Sequence, residues 1–265
     1  MLNAVIEIVR RASELMLRDD FRVELKDGLE NIVTSSDIAV QRFLCAELRE
    51  LIPGCGFRCE EETPAKAGAA APAEYEWIID PIDGTANYAR GIDHCSISVA
   101  LARRGEIELG VVYSPARGEL YSAERGRGAC LNGKPIHVSG RSFADSIFCT
   151  AMSTYRKEYA AVSNSIIMDT YMECNDLRRF GSAALELCFI ARGLCELYFE
   201  FRLQPWDFAA AMLILSEAGG CICNLEGTTP RLDGPDLVLA ANSRASLERL
   251  LATTRKYVPG IPYVD

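Results

Sequence analysis

Asp80 and Asp83 stand three residues apart at the end of an apolar run, Trp77-Ile78-Ile79, and Gly84-Thr85 follow at once. An apolar strand that ends in acids, then a glycine-containing turn and a helix start, presents backbone N–H groups to an anion. Pro81 directly after Asp80 is read as the point where the strand stops. Two further acidic features lie elsewhere: Glu60-Glu61-Glu62, and Asp207 behind Trp206 at the front of a strongly apolar helix. Each has an ordinary explanation by itself. An acid at a helix N-terminus gains about 0.5 kcal/mol from the helix dipole, and three consecutive glutamates make a solvated turn. Convergence would change the chemistry. Two carboxylates about 4 Å apart repel by ~4 kcal/mol at an effective dielectric of 20, so they must bind cations or hold protons.

The surrounding sequence predicts the elements that position these acids. Leu2, Val5, Val9, Ala12 and Met16 recur at helical spacing and predict a helix over 2–18. A second helix is predicted over 35–51, capped by Ser35 or Ser36 after the extended piece NIVTSSD and stopped by Pro53-Gly54. The low-complexity stretch 64–73 (PAKAGAAAPA) is read as a mobile loop. Short β-rich runs follow, with tight turns at Arg104-Gly105 and Asn132-Gly133, and these predict an antiparallel sheet. From about residue 146 strands alternate with helices expected over 158–168, 181–191, 206–218 and 243–256. The first half therefore reads as α+β and the second as α/β.

Composition removes several classes of function. The chain has 265 residues, with 28 Lys+Arg against 37 Asp+Glu and a net charge of −9. An acidic chain without a local basic cluster does not collect nucleic acid by counterion release, so no nucleic-acid partner is expected. Two histidines, His94 and His137, exclude a histidine-rich metal cage and argue against a Ser-His-Asp triad. The eleven cysteines are odd in number and show no paired C-x-x-C spacing, which predicts buried, reduced thiols. The charged N-terminal stretch does not read as a secretory leader, and the longest apolar run, 208–215, is far shorter than a membrane span. A cytoplasmic protein without a membrane partner is expected.

The string WIIDPIDGTANY, the upstream glutamates and the segment PWDFAAAMLILSEAGG together resemble the inositol monophosphatase family, with NIVTSSD as a weaker third signature. The match runs from the first helix to the last. The resemblance implies a layered αβαβα sandwich of the sugar-phosphatase type. Its N-terminal α+β part would be residues 1–142 and its C-terminal α/β part 143–265, with the site between them. It also implies metal ligation by Glu60, Asp80, the carbonyl of Ile82, Asp83 and Asp207. Cys59 replaces the glycine of the family's Gly-Glu-Glu, which leaves Glu61 as the alternative to Glu60. These are hard oxygen donors, suited to two or three Mg²⁺ ions, or Mn²⁺, and not to zinc. Catalysis is implied to use water as nucleophile, oriented by Thr85, Asp37 and Glu60.

Substrate contacts are implied for Asp83, Gly84, Thr85, Ala183 and Glu200. Glu200 lies seven residues before Asp207, at the family position that accepts hydrogen bonds from ring hydroxyls. A mere strand end at the surface is the plainer reading of Glu200. Lys26 falls at the spacing of a family lysine, and Asn31 replaces an acid often seen five residues later. The leading expectation is a Mg²⁺-dependent phosphatase for inositol phosphates or similar polyol phosphates, working as a homodimer. Fructose 1,6-bisphosphate, histidinol phosphate and 3′-phosphoadenosine phosphate are the alternative substrates, and a non-catalytic interaction protein is the alternative of another class.

Overall fold

The computed structural model describes residues 1–17, 22–25, 32–61, 73–152 and 156–258. Lys26, Asn31, Glu62 and all but Ala73 of the stretch read as a loop lie outside the described residues. The chain opens with α1 (Leu2–Met16), a small antiparallel pair β1 (Val23–Leu25) and β2 (Ile32–Thr34), and then α2 (Ser35–Leu51). A seven-stranded sheet follows in simple sequence order: β3 (Gly56–Cys59), β4 (Tyr75–Asp83), β5 (Ser96–Arg103), β6 (Glu106–Ser114), β7 (Glu119–Glu124), β8 (Ala129–Leu131) and β9 (Lys134–Ile136). All its pairings are antiparallel except β3 with β4 at the edge. Arg104 and Asn132 take φ of 50° ahead of Gly105 and Gly133, as the two tight turns require.

The second sheet is mixed. It orders β11 (Asp176–Arg178), β10 (Ile147–Thr150), β12 (Leu197–Leu203), β14 (Asp236–Ala241) and β13 (Cys221–Cys223). The first three run parallel, and β14 opposes both β12 and β13. Helices α4 (Ala160–Tyr171), α5 (Ala183–Ala191), α6 (Pro205–Glu217) and α7 (Arg244–Arg255) complete the chain. The helix expected over 158–168 begins as a 3₁₀ turn at Lys157–Tyr159 and continues as α4 to Tyr171.

Period-two alternation sorts the strands between three cores. Trp77, Ile79, Val99, Leu101 and Val111 pack against α1 and α2, while Ile78, Ala100 and Val112 pack against α5 and α6. Tyr198, Val238 and Ala240 meet the same two helices from the second sheet. Leu197, Phe199, Phe201 and Leu239 face outward to the layer of α4 and α7. The order is helix, sheet, helix, sheet, helix: the αβαβα sandwich expected. No described helix is long and apolar enough to cross a membrane.

Two expectations fail for physical reasons. Thr34, not Ser35 or Ser36, caps α2, because its hydroxyl accepts from the Asp37 N–H while Asp37 accepts from the Thr34 N–H at 2.7 Å. Pro81 does not end β4. The strand pairs with β5 up to Asp80 and again at Asp83, and the register slips in between. Such a bulge accommodates a proline that lacks an N–H.

The middle layer depends on one close approach. A Cβ on Gly110 of β6 would lie 2.6 Å from the Ala210 carbonyl of α6. Both partners are backbone, so neither yields by rotamer change. Gly110→Ala should therefore lower stability by about 1–3 kcal/mol in a urea titration. An unchanged midpoint would show that the helix and sheet are not in this contact.

Candidate active site

The acids converge where β4 ends against the N-termini of α5 and α6. Asp80 has the inward parity of Ile78, is buried, and accepts the Ile82 N–H at 2.9 Å. The bulge then turns Asp83 toward α5. One oxygen of Asp83, Oδ2, accepts from the Ser182 hydroxyl and from the Ala184 N–H at 2.9 Å, and the Ala183 N–H also bonds the carboxylate. Asp207 sits in the first turn of α6 and accepts the Gln204 N–H at 2.8 Å. The ordinary role of an acid at a helix start is thus fulfilled too; the same side chain caps the helix and joins the cluster.

Glu60 follows β3 directly, and its N–H donates to the Ile79 carbonyl at 3.2 Å. Its carboxylate is hydrogen-bonded to Asp80. Glu61 is held through its backbone by Gln41 of α2, which accepts from the Glu61 N–H at 2.9 Å and donates to its carbonyl at 2.8 Å. Carboxylate oxygens of Asp37, Glu60 and Glu61 lie within 4.8 Å of one another. Asp80, Asp83 and Asp207 are not gathered as tightly among the described residues. Glu60 nevertheless acts on Asp37, Asp80 and Asp207 alike, whereas Glu61 acts on Asp37.

Thr85 opens the short helix α3 (Thr85–Tyr88). Its hydroxyl lies 3.3 Å from Asp37 Oδ1 and 3.0 Å from the Ile82 carbonyl oxygen, facing two acceptors. Gly84 has φ of +89°, and a Cβ there would meet the Gly181 and His94 carbonyls at 3.0 Å, so the turn admits only glycine. Ala183 is the first residue of α5. Glu200 is not a surface strand end. It lies inside β12, buried on the face of Tyr198, whose hydroxyl donates to it at 2.6 Å.

Burial dominates the electrostatics. It pushes Asp80 and Asp207 well above the usual carboxylate range, and the neighbouring acids add to the shift. Burial raises Asp83 to about 6 despite the bonds from Ser182 and the α5 amides. Asp37 rises to about 7 by burial, against the stabilising bonds from Thr34. Glu200 rises to about 7 for the same reason, with Asp83 adding and Arg179 opposing. Glu186, which accepts the Gly181 N–H at 2.8 Å, rises to about 8. The charged neighbours that shift Asp37, Asp80 and Asp207 most are other acids, and hydrogen bonds, not ion pairs, are what oppose burial at Asp37 and Asp83. Asp37, Asp80 and Asp83 are buried and Glu60 and Asp207 half-buried, and such an oxygen-only donor set with mutual repulsion fits a hard divalent cation.

A sequence profile of the inositol monophosphatase family matches residues 1–258. The chain belongs to that family. Among curated relatives, an inositol-1-monophosphatase of Mesorhizobium japonicum is 32% identical over 262 residues, spanning 97% of this chain and 96% of the relative. Nus factor SuhB of Pasteurella multocida is 35% identical over 247 residues, spanning 91% of each. The solved IMPase of Thermotoga maritima superposes with a TM-score of 0.82 at 31% identity, covering 96% of both chains.

Sequence reading missed the residues that hold the acids. The Thr34-x-x-Asp37 capping box and the Tyr198-x-Glu200 pair were readable as local patterns. Ser182 bonds Asp83 across 99 positions, a contact with no local signal.

These shifts set the pH response of the metal-free protein. Each raised acid favours folding when neutral, so its contribution is whole below the ordinary carboxylate pKa near 4. It fades as pH rises through the folded values of about 6 for Asp83 and about 7 for Asp37 and Glu200. With a chelator present, the melting temperature should fall between about pH 5 and pH 8, and saturating Mg²⁺ should remove most of that fall. A flat profile with chelator would contradict the buried-acid cluster.

Proposed function

We propose that the protein is a Mg²⁺-dependent phosphate monoester hydrolase acting on inositol phosphates or similar polyol phosphates. The observation that carries this reading is the buried carboxylate cluster beside the Thr85–Asp37 contact, in a chain of the inositol monophosphatase family. Glu60, Asp80, the Ile82 carbonyl, Asp83 and Asp207 would hold two or three Mg²⁺ ions, with Mn²⁺ as a substitute. Glu60 is preferred to Glu61 because it acts on Asp80 and Asp207 as well as Asp37. Bound Mg²⁺ supplies charge for the phosphoryl oxygens and lowers the pKa of water.

The chain's own groups do the orienting. With its proton turned to Asp37 or the Ile82 carbonyl, Thr85 Oγ1 is left as an acceptor for a proton of the attacking water. Thr34 fixes Asp37 from the other side. The N–H groups of Gly84 and Thr85 are assigned to the phosphate, where the glycine permits close approach. Ala183 offers no bulk beside Asp83, and Glu200 keeps one oxygen for a ring hydroxyl while the other accepts from Tyr198. The two parts, 1–142 and 143–265, flank the site, and a homodimer in the cytoplasm is the assembly we assign.

The name Nus factor carried by the Pasteurella relative makes a non-hydrolytic partner role the second reading. The net charge of −9 weighs against direct nucleic-acid contact, and the retained acids weigh for hydrolysis. Mg²⁺-dependent release of phosphate from an aryl phosphate separates the two readings. A panel of inositol 1-phosphate, fructose 1,6-bisphosphate, histidinol phosphate and 3′-phosphoadenosine phosphate then ranks the substrates.

Two substitutions test the roles. Asp83→Asn should reduce Mg²⁺-dependent turnover by at least ~100-fold, while metal-free stability stays equal or rises, because a buried repulsion is relieved. Near-normal rates would remove Asp83 from the site. Glu200→Gln should lower kcat/KM for inositol 1-phosphate by roughly ten- to a hundredfold, since a hydrogen bond to a charged acceptor contributes ~1.5–3 kcal/mol. Hydrolysis of an aryl phosphate, which has no ring hydroxyls, should change little. Equal losses on both substrates would place Glu200 in support of the cluster and not in substrate choice.

A further inference from the structure

The sulfur atoms of Cys45 and Cys59 lie 3.7 Å apart in the core beneath the site. Cys59 is the last residue of β3, and Glu60 is the next residue in the chain. Cys45 belongs to α2, one turn beyond Gln41, which clamps the Glu61 backbone, and two turns beyond Asp37. One stripe of α2 thus faces residues 59–61 with a carboxylate, an amide clamp and a thiol in succession. None of the eleven cysteines is joined in a disulfide in this structure. A covalent bond between these two would pull directly on the segment that carries Glu60.

We propose that Cys45 and Cys59 form a reversible thiol–disulfide switch that turns the metal site off when oxidised. The oxidant is a hydroperoxide. The Cys45 thiolate attacks one peroxide oxygen, the O–O bond breaks, and hydroxide leaves to become water, giving a sulfenic acid. The Cys59 sulfur then attacks the Cys45 sulfur, the S–O bond breaks, and the departing hydroxide takes the Cys59 proton as a second water. Two thiols and one hydrogen peroxide become one disulfide and two waters.

Closing the sulfur pair to about 2.05 Å draws them together by about 1.6 Å. Tight packing leaves little slack: Cys45 adjoins the core of Leu44 and Leu48, and Cys59 pairs with Ile79 in the ladder. Part of the motion passes to the Cys59–Glu60 backbone, and a shift near 1 Å in such a constellation costs about 10²-fold in rate. The consequence for catalysis rests on the assignment of Glu60 made above.

The test uses the full-length protein with hydrogen peroxide as oxidant. After treatment, non-reducing digestion and mass spectrometry should find Cys45 linked to Cys59, and Mg²⁺-dependent turnover should fall by at least tenfold. Dithiothreitol should restore it. Cys45→Ser, and separately Cys59→Ser, should keep most of their turnover through the same treatment, while the other cysteines remain. Absence of the link, a link without loss of turnover, or the same loss in both variants would overturn the switch. A reduced protein that hydrolyses no phosphate ester would overturn the functional reading alone. In that case the Mn²⁺-induced rise in Tm decides the switch, being lost in the linked form if it is right and retained if it is wrong.

Discussion

Mutual repulsion between buried carboxylates is the constraint around which the rest of this fold is arranged. Asp80 and Asp83 are buried with Asp207 half-buried beside them, Glu60 acts on two of the three, and the charged neighbours that shift them most are acids. The fold answers with backbone N–H groups. Asp37 lies in the first turn of α2, Asp207 in the first turn of α6, and Asp83 accepts from the first amides of α5. A helix N-terminus contributes about 0.3–1 kcal/mol to an anion. Repulsion at about 4 Å is ~4 kcal/mol per pair at an effective dielectric of 20. Three helix ends therefore hold the acids in place without neutralising them, and the raised pKa values are the residue of that imbalance.

The layers explain how such an arrangement persists. Helices α5 and α6 are apolar nearly all round because each lies between two sheets, so their ends cannot shift without disturbing both. The close approach of Gly110 to Ala210 fixes the height of α6 over the first sheet and so the place of Asp207. Glu196, wholly buried, ties the passage between the sheets. It accepts from Ser139, from Arg141 at 2.8 Å and from the Ile147 N–H at 2.8 Å. The connecting segment after β9 is thereby hydrogen-bonded to the start of the second sheet's β10 and to the residue before β12.

Most of this architecture was legible in the sequence where signals are local. The amphipathic spacing of α1, the Arg104-Gly105 and Asn132-Gly133 turns and the DPIDGT string all act within a few residues. What could not be read depends on tertiary context. Pro81 forbids a ladder bond, yet a bulge lets β4 continue past it to Asp83. Ser35 and Ser36 are good caps, yet Thr34 occupies the position because Asp37 answers it three residues on. The plainer reading of Glu200 as a surface strand end fails because β12 runs on to Leu203 and the residue is buried on the Tyr198 face, which only the assembled layers determine. The Ser182–Asp83 bond joins positions 99 apart, and only the folded sandwich brings them together.

The same geometry links folding to ligand occupancy. Positions 37, 60, 80, 83 and 207 are scattered in an unfolded chain and meet only in the native state, so a cation that needs several of them binds that state alone. Binding of this kind adds about 2.7 kcal/mol of stability at a hundredfold excess over Kd. That is comparable with the penalty from a single pair of buried like charges in the dielectric used above. On the reading proposed above, the site would be a weak point of the metal-free fold and a strong point of a loaded one. Because Asp83 and Asp207 also bond the starts of α5 and α6, occupancy should be felt first at those helix ends and not in the outer layers. Asp83 and Asp207 each spend Oδ2 on the start of a helix, so the atoms that shape the cluster are the same ones that begin α5 and α6.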